Sequence, residues 1–439
     1  MNAPTPITHT QAEADLISRF ASARDAGLAG SVAVTALRDA AAAQLKADGL
    51  PHRRVEEYKY SDLRAYMKTA APLAEATTAA DAKTVLDGFD SYGELDRYRI
   101  VVANGRFLAD LSDVAELAAE GVVVSDFNDA LAGENGSTML TAPKITNQDG
   151  VIALNTAFVQ GGVVVSVKEG AEVSKSVELV QVAVGTGAQV SRNRIVVAKG
   201  AKLRVLETFA GDTGAGETNV VFDYDIADEA TLATTRLVTG AAAGAKLFTT
   251  LARVGGDALF KTLSFIAGPS FTRNQQFVSF VGENSDAKLY GVTMARGRDL
   301  GDQTLIVDHA VPHCNSREFF KAVLDDDARG VYQGRINVAP HAQKTDGEMM
   351  TQALLLGDGA EMANKPELEI FADDVLCAHG ATCGDLDEDL LFYLRARGIP
   401  EAEARTLLVL AFLSEAIEEF DEEDVTDVLE NRVRMWLAA

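Results

Sequence analysis

Basic residues are scarce in this chain. Its 439 residues include 40 Lys and Arg against 65 Asp and Glu, a net charge of −25. That balance excludes DNA and RNA, whose phosphates need clustered cations, and it excludes anionic membrane surfaces. Long apolar runs are missing too. The run 407–413 is only seven residues long, where a membrane helix needs about 20. The opening MNAPTPITHT has neither a basic stretch nor an apolar one, so no targeting segment is expected and the cytoplasm is the expected location. Cysteine is rare: Cys314, Cys377 and Cys383 are odd in number and cannot all pair. Free thiols fit a reducing compartment. Aromatics make up only 7%, and Trp436 is the sole tryptophan. What is plentiful is glycine, 36 residues, within a chain that is 47% hydrophobic. That is enough for a core, and it points to a turn-rich β architecture.

The chain reads as helix, repeat, helix. Residues 1–145 form a mostly helical first segment, with Leu37, Ala41 and Leu45 at helical spacing and a strand running into a turn at 98–105. From 146 to 384 short β-branched runs alternate with Gly, Asp and Asn. Within them a small motif recurs: an acidic residue or Gly, then Ala, any residue, and an apolar one. Its alanines, 171, 201, 230, 258 and 287, step by 30, 29, 28 and 29. Half-step copies begin at Gly187 and Gly244, and a looser copy at Gly359. A fixed period built from strand formers predicts a parallel β-helix, two strands per coil. About eight coils stacked at about 4.8 Å give a rod on the order of 40 Å. A β-sandwich with accidental regularity is the alternative. The open ends of a β-helix need caps, and helices before and after the repeat supply them. Residues 385–439 are helical. Asp387 is a candidate N-cap, Gly398 a stop and Pro400 a start. The last helix carries Val425, Val428, Leu429, Val433, Trp436 and Leu437 on one broad apolar face, which either packs on the rod or docks a partner.

Three strings invite a chemical reading. Gly240-Ala-Ala-Ala-Gly-Ala-Lys246 departs from a phosphate loop in its glycine spacing and lacks the Ser or Thr after Lys. ATP hydrolysis by this chain is therefore not expected. Asp308-His309-Ala-Val-Pro-His313-Cys314 places two imidazoles and a thiol within six residues, a possible Zn or Fe set. Pro312 disturbs any shared strand face, so satisfaction by turns is the competing reading. Cys377-Ala-His379-Gly-Ala-Thr-Cys383 places Cys377 and His379 two apart, on one face of a strand. A thiolate with an imidazole suits iron or zinc. Two or three ligands fall short of four, so a second chain would complete the site. A nucleophile–base pair is the other reading of Cys377 and His379, but no oxyanion-hole signature accompanies them.

The string Lys365-Pro-Glu-Leu-Glu-Ile-Phe-Ala-Asp-Asp-Val-Leu-Cys377-Ala-His379-Gly-Ala-Thr382 is specific. So are Arg54-Val-Glu-Glu-Tyr-Lys-Tyr-Ser-Asp-Leu63, Ser316-Arg-Glu-Phe-Phe-Lys321, Gly334-Arg-Ile-Asn-Val338, Ala342-Gln-Lys-Thr-Asp346 and Asp389-Leu-Leu-Phe-Tyr-Leu-Arg-Ala-Arg-Gly398. Together they resemble the SufD branch of the SufB/SufD family of iron–sulfur cluster assembly proteins. The resemblance implies a right-handed parallel β-helix between helical ends. It implies a non-catalytic scaffold subunit that pairs with a SufB-like chain and a SufC-like ABC ATPase, or forms a homodimer alone. A transient cluster or iron would be shared at the SufB–SufD interface, with none permanently bound. His379 would be the interface residue, Cys377 a weaker candidate, and the C-terminal helices the ATPase-docking site. SufB-like chains carry a sulfur-accepting cysteine a few residues before a Leu-Leu-x-Gly turn. Here Met350-Thr-Gln-Ala-Leu-Leu-Leu-Gly357 has Thr351 near that place, and Gly380 stands where SufB has Glu. Both differences favour SufD over SufB. Cys383 lies outside the core motif. A β-helix enzyme acting on polysaccharide and a purely structural solenoid are the competing classes. The first predicts activity by the chain alone, and the second predicts no ATPase partner.

Overall fold

The computed structural model describes residues 9–89, 91–240, 243–268 and 270–438. Helices Gln11–Asp25 and Val32–Asp48 open the chain. Thr10 and Glu13 form a reciprocal capping box, Ser31 caps the second helix, and Gly49 at φ 73° ends it. The centre is a parallel β-solenoid of two sheets. One holds ten strands and the other nine, and from Val163–Val167 onward successive strands alternate between them. This order excludes a sandwich. The expected strand near 98–105 is Arg97–Ala103, which joins the solenoid beside Ser176–Val182. Val122–Asp126 likewise lies antiparallel to Val163–Val167 at the same end.

The repeat has a backbone cause. Seven coils turn one corner with a left-handed residue followed by a small one. The pairs are Gly170-Ala171, Gly200-Ala201, Glu229-Ala230, Asp257-Ala258, Asn284-Ser285, His313-Cys314 and Lys344-Thr345, with φ of the first between 53° and 68°. Each small residue's carbonyl accepts an N–H from the next coil at 2.8–3.1 Å, from Lys202 to Ala171 through Leu376 to Thr345. The acidic residue or Gly of the motif is thus the left-handed position, which Gly, Asn and Asp tolerate best. From Ala201 onward this small residue is buried, and Ser285, Cys314 and Thr345 take the place of Ala in the later coils. The fifth alanine departs from the expected pattern. Ala287 lies inside strand Asp286–Ala295, opposite Phe260, and Ser285 takes the corner. The half-step alanines Ala188 and Ala245 are also buried, at an opposite corner where Gly187, Gly216 and Gly244 stack too closely for a Cβ.

Inside the solenoid, Phe222, Phe248, Phe260, Phe280 and Tyr224 stack with Val, Leu and Ile. Burying each large apolar side chain contributes roughly 1.5–3 kcal/mol. A polar thread runs through this core. Arg236 donates to Glu207, Thr250 and Asn274, and Asn274 donates to Gln303. Every buried charge on it has a partner, as a low-dielectric interior requires.

Helix Gly150–Phe158 packs between Val32–Asp48 and the outer sheet face. At the C-terminal side, helices Glu388–Ala396, Glu401–Glu418 and Glu423–Ala438 follow the solenoid, and Asp387 caps the first. Val425, Leu429 and Val433 are fully buried in a cluster with Leu237, Leu263 and Val292 of the sheet. Arg204 pairs with Glu422 and Asp424, and Arg296 sits 3.9 Å over the Trp436 ring. Packing is therefore the use of that apolar face. No described helix is long and apolar enough to cross a membrane.

Candidate functional site

The two sheets end at strands Glu361–Ile370 and Leu376–Gly384. Each is hydrogen-bonded along one edge only, to Arg329–Val338 and Asp346–Leu355 respectively. This end is the mouth of the solenoid. Register fixes which side chains face its axis. Cys377 follows Ser316 and Gly347 in one column, and His379 follows Glu318 and Met349 in the next. Ala381 follows Phe320 and Thr351, and Cys383 follows Ala322 and Ala353. The lower members of these columns are buried inside the solenoid. Cys377, His379, Ala381 and Cys383 therefore all point to the axial side.

His379 is exposed and Cys377 half-buried against the core. Burial pushes the Cys377 thiol up, and the nearby Asp346 and Glu318 push it further, against the Gly347 backbone hydrogen bond. Cys383 is exposed. Its sulfur accepts the Asn364 amide at 3.2 Å, and Asn364 in turn accepts the Thr351 hydroxyl at 3.3 Å. Partial burial raises the Cys383 thiol as well, and the Asn364 bond offsets part of it. At about 3.3 Å per residue, Cys377 and His379 are roughly 7 Å apart along the strand and Cys383 about 13 Å beyond His379. One small site can use the first pair but not all three. Among the described residues, no three His, Cys, Asp or Glu side chains converge to hold a metal ion. The mouth offers one soft and one borderline donor, fewer than a closed four-ligand site requires.

The string 308–314 is pulled apart by the coil. His309 ends strand Leu300–His309 inside the solenoid, its ring 4.7 Å from that of Phe280 and its Nε2 3.0 Å from Ser316 Oγ. Burial holds its pKa down to about 4. His313 is the exposed left-handed turn residue, and Cys314 fills the buried corner that Ala fills elsewhere. Burial raises the Cys314 thiol. The structure does not bring these three side chains together.

Sequence reasoning missed what lies beneath the mouth. Glu318 is fully buried, and neither carboxyl oxygen has a hydrogen-bond partner of good geometry. Its pKa is pushed up to about 8 by burial, which outweighs the neighbouring Ser316 hydroxyl. The buried Tyr332 hydroxyl and His309 Nδ1 also lack partners. Strict alternation in Ser316-Arg-Glu-Phe-Phe-Lys321 was the available signal, since Ser316, Glu318 and Phe320 share one face. Only the fold shows that this face is the inner one.

Of the rejected phosphate-loop string, Ala241 and Ala242 lie outside the described residues. Lys246 opens a strand, and its amine donates to the Thr213 and Thr218 hydroxyls at 3.1 and 3.0 Å.

Fold and site define a class: a helix-flanked parallel β-solenoid that presents a thiol and an imidazole at one open end. A family model described as SUF system FeS cluster assembly, SufBD core domain, matches residues 179–412. A second, SufBD protein N-terminal region, matches residues 10–179. The iron–sulfur cluster assembly protein SufD of Escherichia coli is 30% identical over 391 residues, covering 87% of this chain and 88% of its own length. An iron–sulfur cluster assembly SufBD family protein of Synechocystis is 26% identical over 396 residues, 87% of this chain and 86% of its own. The chloroplastic protein ABCI7 of Arabidopsis thaliana is 31% identical over 245 residues, 55% of this chain and 51% of its own. The chain belongs to the SufB/SufD family of iron–sulfur cluster assembly proteins and is SufD-like within it.

Proposed function

We propose that this chain is a non-catalytic scaffold subunit that pairs with a SufB-like chain and a SufC-like ABC ATPase. A nascent cluster, the cargo of the assembly, forms where the two scaffold chains meet, and no cluster resides permanently on this chain. The observation that carries this reading is the mouth. An edge strand with an unpaired side places Cys377 and His379 on one face, with too few ligands for a closed site. Unpaired edge N–H and C=O groups favour pairing with another chain, and that chain would supply the remaining ligands. Away from a SufB-like partner, a second copy could use the same edge. His379, exposed and free of a covering side chain, is the first ligand to test, with Cys377 second. Free thiols at the mouth suit the reducing cytoplasm.

Docking of the ATPase falls to the helix Glu388–Ala396 rather than to the last helix. Phe392 is 72% exposed, with Leu390 and Tyr393 about half exposed beside it, whereas the apolar face of Glu423–Ala438 is already buried. The test is reconstitution of the three-component complex with His379→Ala and, separately, Cys377→Ser. Cluster yield should fall severely for the first and partially for the second, with the complex eluting intact. Full yield from an intact His379→Ala complex removes His379 from the site.

A further inference from the structure

A second candidate site lies at the other end of the molecule. A cleft of about 510 Å³ opens between the helix Gln11–Asp25 and the extended segment 70–75. Its volume falls in the range of small-ligand sites. Pro72, Leu73 and the surrounding alanines give it apolar walls.

Three polar side chains at this cleft are incompletely used. Arg106 lines it, half-buried, and its guanidinium donates only to the Asn104 carbonyl at 3.2 Å. Among the described residues it forms no ion pair, in a chain of net charge −25. Arg19 is 8% exposed. Its terminal nitrogens are held by Glu217 and the Ala71 carbonyl, which leaves Nε without a partner. Gln160 is 7% exposed. Its amide donates to the Ala74 carbonyl at 2.7 Å, and its Oε1 has no partner. Arg19 Nε and Gln160 Oε1 are buried beneath the cleft wall, so the half-buried Arg106 guanidinium is the group the cleft presents to a ligand. The acidic groups do not compensate Arg106. Asp15 accepts from the Ala70 N–H and from Gln11, and Glu75 is exposed at the rim.

We propose that this cleft binds a small organic anion. Arg106 takes its carboxylate or phosphate, and the alanine and proline walls hold an apolar body. Arginine is suited to this, because its planar donor fork matches both kinds of anion. The proposal is independent of the mouth, which lies at the opposite end of the solenoid.

The experiment uses the purified full chain and three probes of equal ring size: benzoate, phenyl phosphate and neutral benzamide. Binding is followed by saturation-transfer NMR titration. One or both anions should bind with millimolar dissociation constants while benzamide does not, and the stronger anion identifies the head group. Arg106→Gln should weaken anion binding at least about tenfold, and Arg106→Lys should restore part of it. Ser22→Phe, on the exposed wall of the cleft, should block binding while leaving every arginine in place. Unfolding midpoints of all variants should match the parent. Binding of benzamide equal to the anions, an unchanged Arg106→Gln, or no anion binding by the parent chain overturns the proposal.

Discussion

At the scale of single residues, the interior of the last coils sets two opposed titrations. The Glu318 pKa is raised from 4.5 to about 8, so the folded chain holds a proton that the unfolded chain gives up. Stability from this group is complete below pH 4.5 and is lost as pH rises toward 8. His309 works the other way. Its pKa is lowered from 6.5 to about 4, so stability is complete above 6.5 and is lost as pH falls toward 4. Together they predict a stability maximum in weakly acidic solution. Glu318→Gln keeps the shape and removes the charge. Between pH 6.5 and 8, the parent should lose on the order of 2 kcal/mol that the variant keeps. Denaturant midpoints at the two pH values measure this, and parallel losses in both proteins would show that Glu318 is not the group. His313 allows a second residue-level test. It holds a left-handed φ of 61° and is exposed. His313→Gly should therefore stabilise the chain, by up to roughly 1 kcal/mol, and Cys314→Ala should cost less than about 1 kcal/mol because Ala fills the same corner in earlier coils. A metal site built from these residues predicts destabilisation by both substitutions, so thermal unfolding separates the two accounts.

At the scale of elements, the three C-terminal helices divide the work. Glu423–Ala438 is anchored by Leu429 and Val433 in the core. Leu429→Ala should cost about 2–5 kcal/mol. Glu388–Ala396 contributes little to that core and exposes Phe392 and Tyr393 instead. Phe392→Asp with Tyr393→Asp should leave the unfolding midpoint in place and abolish co-purification with the ATPase. Retained co-purification would move the docking surface elsewhere. The edge strand Leu376–Gly384 is the other exposed element. Its alternation keeps both candidate side chains on the axial face, so a partner strand can pair with its backbone without covering Cys377 or His379.

At the scale of the whole molecule, the two ends of the solenoid differ. The early end is covered by Arg97–Ala103, Val122–Asp126 and the helix Val114–Ala119, whose Leu117 is buried in the inner core, whereas the late end stops at two bare edge strands. The covered early end disfavours end-to-end stacking of copies, and the open late end leaves two strand edges free for backbone pairing. The charge of −25 keeps the free chain soluble and favours partners with basic surfaces. Most deeply buried charges are already paired, such as Arg273 with Asp302 and Arg236 with Glu207. The surplus acidity is therefore a surface property.

Much of this architecture was legible in the order of the residues. Each coil repeats the same local demand, a left-handed residue and then a small one, so the period of about 29 shows in the chain itself. A strand's two-residue alternation likewise places Cys377 and His379 on one face without reference to any other element. Other features were decided by stacking alone. Alternation names two faces of a strand but not which one is inside, so Glu318 and Tyr332 became inner groups only when coils closed around them. The string 308–314 left a metal set and satisfaction by turns both open, because adjacency in sequence is not adjacency across a turn. The last helix left packing and docking both open, because nothing in its own residues names the sheet that buries Leu429. The cleft at Arg106 joins segments far apart in the chain, and only the tertiary structure brings them within reach of one ligand.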